Sequence, residues 1–313
     1  MGYSRFDHDD WTAYATANAG KTRAARFTSR SVTDIDELNP NKFGMRESRD
    51  SVANPRSTPI IAGLDVTGSM GFLAEVLVRD GIGTAFKEIL ERAKDPTSGM
   101  ISDPHLMVMG LGDVRHDRAP VQATQFETDL TIAKQTEKIY LEGGGGGNST
   151  ESYDAAWYMA AMRTKTDAWD KRGEKGYLFT VGDEEAPLGM TRAHIAKFFG
   201  EEANEDLDAR QLLAMAEERY NVFHIVVAEG SHARMRGAEN VKRTWQDLMG
   251  QRVMILEDHT KLAELMVSVL QVSNGASAST VAASWSGDTS LVIARGLREL
   301  AGAGPALGGV VRF

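Results

Sequence analysis

The sequence predicts an α/β protein built on a Rossmann-like doubly wound sheet, mostly parallel with one antiparallel edge strand and with helices on both faces. Three observations carry this expectation. From Pro59 onward, short apolar runs alternate with longer amphipathic runs, the pattern of strands joined by crossover helices. Between His105 and Thr128, two strand-like runs, Leu106 to Leu111 and Val121 to Phe126, stand so close in sequence that a hairpin must join them, which sets an antiparallel strand at one edge. Two of the apolar runs also end in an acid, Asp65 and Asp183, where an open parallel sheet turns its strand ends toward a ligand crevice.

Residues 1–57 are polar throughout, with Phe6, Trp11, Tyr14 and Phe27 as scattered aromatics, and read as an N-terminal extension that wraps the domain or binds a partner. Its basic residues Lys21, Arg23, Arg26 and Arg30 read as a solvated tail. Residues 58–272 form the main domain. Strands are predicted near 59–65, 105–112, 120–127, 177–182, 221–228 and 252–256, and helices near 71–93, 129–140, 150–165, 191–199, 206–219, 239–249 and 260–272. Residues 273–313 open with small residues from Asn274 to Thr280, a linker composition, followed by a short helix over 290–301. The end, Gly308 to Phe313, is apolar and fits docking onto a partner or back onto the domain.

Composition narrows the function classes. A chain of 313 residues can bury a substantial core. It has no cysteine, so a disulfide framework, a thiolate zinc site and thiol catalysis are all excluded. The seven histidines form no His-Glu-x-x-His spacing, which removes support for a zincin protease. A net charge of −9 disfavours binding to a nucleic-acid backbone. The acidic opening holds no apolar stretch of signal-peptide length and no segment is apolar enough to span a bilayer, so a cytoplasmic location without membrane contact is expected.

The chemistry concentrates in three loops. The first is Asp65-Val66-Thr67-Gly68-Ser69, one carboxylate and two hydroxyls on a tight turn after a buried strand. The second runs through the glycines 143–147 into Asn148-Ser149-Thr150-Glu151, and the third is Gly182-Asp183-Glu184-Glu185. Alone, the glycines read as a flexible linker and Asp183 as a helix cap; the three loops in this order point to a cradle for a hard divalent cation, which needs about six oxygen donors. Here the chain resembles the von Willebrand factor A-type domain with its metal-ion-dependent adhesion site, over roughly residues 58–272. The resemblance implies Asp65, Thr67, Ser69, Thr150 and Asp183 as metal ligands and Mg²⁺ as the ion, with Mn²⁺ or Ca²⁺ as substitutes. The second loop also offers Ser149 or Glu151 as the donor, Glu184 stands where the family has glycine, and Asp113 is expected nearby as a supporting group or a partner-facing rim.

Enzymatic readings fare worse. A haloacid-dehalogenase-like phosphatase needs a second carboxylate where Thr67 stands, and a hydroxyl cannot protonate a leaving group near neutral pH. A phosphate-binding P-loop in the glycine run fails because no Lys precedes Ser149. The expectation is therefore a non-enzymatic adaptor that docks an Asp or Glu of a partner protein through the cation. The resemblance further implies an intracellular complex of bacterial or phage type, with a MoxR-like AAA+ ATPase as a partner. The alternatives are a structural subunit of a larger, phage-related assembly that uses the N-terminal arm and C-terminal tail, and an Mg²⁺-dependent phosphoryl-transfer enzyme with Asp65 as nucleophile.

Overall fold

The computed structural model describes residues 4–141, 150–298 and 300. Its centre is a six-stranded sheet, β1 (Ser57–Asp65), β2 (Asp103–Leu111), β3 (Val121–Ala123), β4 (Gly176–Gly182), β5 (Tyr220–Val227) and β6 (Val253–Leu256), in the order β6-β5-β4-β1-β2-β3. All neighbours are parallel except β2 and β3, paired antiparallel from Met109↔Ala123 to Leu111↔Val121. The mostly parallel sheet with one antiparallel edge strand is thus the predicted architecture. The chain builds outward from β1 to β3 on one side, returns beside β1 with β4, and builds outward again to β6. That reversal is a topological switch point, and its crevice lies at the carboxyl ends of β1 and β4.

Strands buried on both faces need helices on both faces, and side-chain alternation decides which residues face which layer. Ile60, Ala62 and Leu64 of β1, Val108 of β2 and Phe179 and Val181 of β4 pack into one core with the helices Ile82–Arg92 and Leu262–Ser273. Ile61, Met107, Met109 and Leu178 pack into the other, under the helices Tyr153–Met162, Ala209–Glu217 and Ala238–Met249.

Several helices differ from their predicted extents, each for a tertiary reason. The single helix expected over 71–93 is broken into Phe72–Val76, a π-helical turn at Leu77–Gly81, and Ile82–Arg92. Just after the break, a Cβ on Gly83 would fall 2.0 Å from Trp11 Nε1, so this stretch is shaped to receive the helix His8–Asn18 of the extension. The helix expected over 129–140 is confined to Thr131–Thr136, because the carbonyls of Glu137 and Lys138 accept bonds from Thr28 N and Ser29 Oγ. The helix expected over 150–165 begins at Tyr153: Ser152 N donates to Gly112 O and Ser152 Oγ accepts from Val114 N, tying the residues before the helix to the turn after β2. It ends at Met162 because Thr164–Thr166 pairs in parallel with Arg46–Ser48, a ladder the periodicity did not signal.

The two terminal segments pack on the same face. Trp11, Phe27, Ile35 and Leu38 join the first core, as do Val281, Ala282, Ile293, Leu297 and Leu300. The small-residue stretch turns helical at Ala278–Ala283, and the later helix is Gly287–Gly296, earlier than the 290–301 expected. Arg26 is no part of a solvated tail: it is buried, donates to Asn18 O and lies 3.7 Å from Glu137. The apolar end at 308–313 and the glycine run at 143–147 fall outside the described residues. Among the described residues no helix is long and apolar enough to cross a membrane.

Candidate metal centre

β1 delivers Asp65 to the crevice at full burial, and the next turn folds onto its carboxylate. Thr67 N and Thr67 Oγ1 lie 2.9 and 2.7 Å from Asp65 Oδ1, a local side-chain-to-backbone turn of the kind Asp favours. The other oxygen, Oδ2, accepts from Tyr153 Oη at 3.2 Å. Gly68 takes φ +39° and Met70 N closes the turn on Thr67 O at 2.7 Å. Ser69 lies within the 3₁₀ turn Gly68–Gly71; its side chain, like all of Ser149, lies outside the described residues.

β4 delivers Asp183, also buried, whose Oδ2 accepts from His232 N at 2.7 Å. A Cβ on Gly230 would sit 2.2 Å from Asp183 Cβ, so only glycine lets that backbone close over the acid. The second loop contributes Thr150, which is half-buried, and Glu151, which is 2% exposed. Glu151 reaches the first loop: its Oε1 lies 3.3 Å from Thr67 Oγ1, while its Oε2 is buried without a hydrogen-bond partner. Glu184 on the third loop likewise keeps a buried, unpartnered Oε2. Asp113 is fully buried beside them, bonded to Arg115 N at 2.9 Å and His116 Nδ1 at 2.5 Å, with Asp117 Oδ2 accepting from Asp113 N at 2.7 Å. It therefore braces its own turn as well as adding charge.

The electrostatics follow from crowding acids in a dry crevice. Burial pushes the Asp65 carboxyl up to about 7, against the hydrogen bonds of Thr67 and with help from Asp183. Burial, then Asp65, Glu184, Asp117 and Asp113, push Glu151 up to about 10. Burial, then Asp65, Asp183 and Asp113, push Glu184 up to about 8. Asp183 is raised by burial against the bonds from His232 and Ala233. Burial without a neighbouring positive charge thus disfavours the ionised form of each of these acids. A divalent cation would supply that charge, and the unpartnered oxygens of Glu151 and Glu184 are acceptors of the type such an ion binds, so the residues present fit one.

A layer beneath holds the centre in place and was missed in the sequence. The Tyr153 ring meets His224 and Trp245 edge-on at 5.2 and 5.3 Å, and His224 stacks on Trp245 at 3.4 Å. Thr180 Oγ1 lies 2.9 Å from His224 Nδ1. Asp154 Oδ2 accepts from Gly189 N at 2.8 Å, tying the second loop's helix to the segment after the third. An aromatic three residues after Thr150, at the head of a helix, was the available signal for Tyr153.

One other cluster calls for comparison. Among the described residues, the three acidic or histidine ligand atoms that gather within 4.8 Å of one another belong to Glu229, Asp258 and His259; no three carboxylates of the Asp65 crevice come so close. Those three residues are already engaged: Glu229 Oε2 accepts from His259 N at 2.7 Å and meets its Nδ1 at 2.6 Å, and Asp258 Oδ1 caps Thr260 N at 2.9 Å. They lock the loop after β6.

No family model matches the chain, and no curated protein does. Among solved structures, the chain is similar to the pilus adhesin SpaC from Lactobacillus rhamnosus GG, at 10% identity and a TM-score of 0.43, over 72% of this chain and 31% of that one. It is similar to proximal thread matrix protein 1 from the mussel byssus, at 13% identity and 0.40, over 72% and 48%. It is also similar to a von Willebrand factor type A protein from Catenulispora acidiphila, at 13% identity and 0.34, over 75% and 48%. The chain thus spans less than half the length of each of these proteins. Likeness this loose says nothing about function.

Proposed function

We propose that the chain is a non-enzymatic protein-interaction module whose partner binding depends on a divalent cation held between the ends of β1 and β4. The ligand set implied by resemblance is Asp65, Thr67, Ser69, Thr150 and Asp183 with Mg²⁺, and the partner group an Asp or Glu side chain. The observation that carries the reading is the Thr67 hydroxyl at the sheet's switch point, 2.7 Å from Asp65 Oδ1 and 3.3 Å from Glu151 Oε1, beside buried oxygens of Glu151 and Glu184 left without partners.

Recognition is favoured over catalysis on the chemistry of the donors: Asp65 Oδ1 accepts from both Thr67 N and Thr67 Oγ1, and Oδ2 accepts from Tyr153 Oη, which leaves Oδ2 with a lone pair for an ion. No second carboxylate stands at position 67 to protonate a leaving group. The rim also suits a partner: Leu188, after the third loop, and Met235, on the segment bonded to it through Arg236 and Glu185 at 2.9 Å, are both exposed apolar side chains.

Affinity capture of the tagged full chain from its native extract tests this. It is run with Mg²⁺ and Ca²⁺, with chelator, and with an Asp65→Asn variant whose fold is checked by circular dichroism. A partner retained by the wild type with cations and lost in the other two arms is the expected result. A partner retained in all three places the interface elsewhere, on the arm or the tail.

A further inference from the structure

We infer that the partner docks through an acidic segment, and that Arg23 and Arg30 of the N-terminal segment hold its carboxylates in a cleft beside the cation crevice. This rests on the interaction-module reading above and deepens it.

The basic residues Lys21, Arg23, Arg26 and Arg30 part company in the fold. Arg26 is buried, whereas Arg23 and Arg30 line a cleft of about 440 Å³ whose other walls include Phe27, Glu75 and Leu141. That cleft adjoins two of the three site loops. A Cβ on Gly71, which ends the turn carrying Ser69, would lie 3.6 Å from Arg23 Nη1 and 3.7 Å from Leu141 Cδ1, and Leu141 precedes the glycine run in sequence. The stretch that presents the arginines is fixed in place: Phe27 is buried, Thr28 N donates to Glu137 O at 3.0 Å, and Ser29 Oγ donates to Lys138 O at 2.6 Å.

Both guanidiniums have donors to spare. Arginine carries N–H donors in a rigid fork that matches a carboxylate. Arg23, with 42% of its side chain exposed, donates among the described residues only through Nε, to Glu75 Oε2 at 2.9 Å. Arg30 donates from its two terminal nitrogens to Phe27 O at 2.9 Å and Ala24 O at 2.5 Å, which sets the plane of the group and leaves Nε for a ligand. The acids beside them do not cancel both. Glu75 answers Arg23, but the Asp34 carboxylate accepts from the backbone amides of Arg30 and Ser31, at 2.7 and 2.9 Å, and not from the guanidinium.

Charge selects the occupant. On a chain of net charge −9, with Asp65, Glu151 and Asp183 buried at the crevice, an approaching acidic segment meets repulsion that is felt over about 10 Å. Two guanidiniums at the edge of that crevice offset it, and each can form charge-assisted, two-pronged bonds to a carboxylate, roughly twice as strong as neutral ones. Leu141, half-buried, offers an apolar contact between them. A nucleic-acid backbone is disfavoured, because its binding draws on many phosphate contacts and two arginines on an acidic chain supply few.

Fluorescence anisotropy with the full chain tests this, using a labelled peptide Glu-Asp-Leu-Asp-Glu, its neutral counterpart Gln-Asn-Leu-Asn-Gln, and a labelled single-stranded oligonucleotide, each with Mg²⁺ and with chelator. The wild type with Mg²⁺ is expected to bind the acidic peptide in preference to the other two. Arg23→Gln combined with Arg30→Gln is expected to weaken that binding by at least about tenfold, since charge-assisted bonds are lost at two sites. Glu75→Gln, which removes the counter-charge of Arg23, is expected to tighten it by roughly twofold or more. Damage to the fold would weaken binding in both variants, so the opposite signs separate recognition from structure. With chelator, weaker binding that still falls in the double variant is expected, because the cleft itself needs no cation. Acidic-peptide binding that is absent, or unchanged in the double variant, or outdone by the oligonucleotide, overturns this inference and leaves the cation reading intact. Binding that falls in the double variant but is equal with Mg²⁺ and with chelator upholds the cleft and overturns the cation reading.

Discussion

Asp65, Thr67 and Asp183 were legible as candidate donors because an acid at the end of an apolar run has one placement in a parallel sheet, its carboxyl end. Glu151 was legible only as an alternative to Thr150, since composition cannot say which of two adjacent side chains turns inward; that was decided by the bonds of Ser152 to Gly112 and Val114. His105 is a case the sequence left wholly open. It lies fully buried in β2, with Nδ1 3.1 Å from Ser48 Oγ and Nε2 without a partner, and burial lowers its imidazole from 6.5 to about 4. The folded value lies below the unfolded one, so between them the unfolded chain binds more protons. The stability contributed by neutral His105 is therefore complete above pH 6.5 and lost as pH falls toward 4, a difference of about 3 kcal/mol at most. A His105→Gln variant should lose less stability than the wild type over that window, the gap growing toward pH 4. Urea midpoints of both proteins at pH 7, 6, 5 and 4 measure it, with the acids common to both cancelling; parallel curves would mean that His105 charges without penalty.

At the scale of elements, the strands were readable because each is a short apolar run bounded by polar turns, and the edge hairpin followed from the brevity of its connection. Helix ends were not readable, because their limits are set by partners distant in sequence: Trp11 over Gly83, Thr28 and Ser29 on residues 137 and 138, Arg46–Ser48 on Thr164–Thr166. The spacing between β4 and the Tyr153–Met162 helix shows how such a limit acts on the candidate metal centre. A Cβ at Gly182 would fall 1.9 Å from Tyr153 Oη and 2.7 Å from its Cζ, so the glycine is the slot through which the phenol reaches Asp65. Gly182→Ala should cost about 1–3 kcal/mol by overpacking. It should also weaken cation binding, because the displaced phenol no longer bonds Asp65. Adding Tyr153→Phe removes the hydroxyl but leaves the ring, so the double variant should recover part of the stability and none of the lost affinity. Thermal melts with paired cation titrations distinguish this from a purely local strain, in which affinity would stay at the wild-type value throughout.

At the scale of the whole molecule, the question is whether the N-terminal segment is a separable arm or part of the folding unit. Its composition suggested an extension, because polar residues dominate and the aromatics are sparse. Those few aromatics are the ones that pack: Phe6 stacks on Phe86 at 5.1 Å, Trp11 meets Phe6 and Tyr14 at 6.2 and 5.5 Å, and Phe27 is buried. The polar residues are fastened as well, Arg5 to Asp103 at 3.0 Å, Arg23 to Glu75 at 2.9 Å and Tyr14 to Glu137 at 2.6 Å. Surface pairs of this sort contribute little each, so the burial of Trp11, Phe27, Ile35 and Leu38 carries most of the attachment, with Trp11 the largest of the four side chains. Trp11→Ala should therefore cost about 3–5 kcal/mol, the usual range for emptying an aromatic site. If the segment and the sheet unfold together, that loss lowers the one melting transition by on the order of 10 °C. If the segment is separable, the main transition keeps its midpoint and the variant instead shows earlier proteolysis confined to residues before Ser57. Calorimetry combined with limited proteolysis tells the two apart. A single lowered transition would mean that the apolar side chains of the N-terminal segment are engaged in holding the domain.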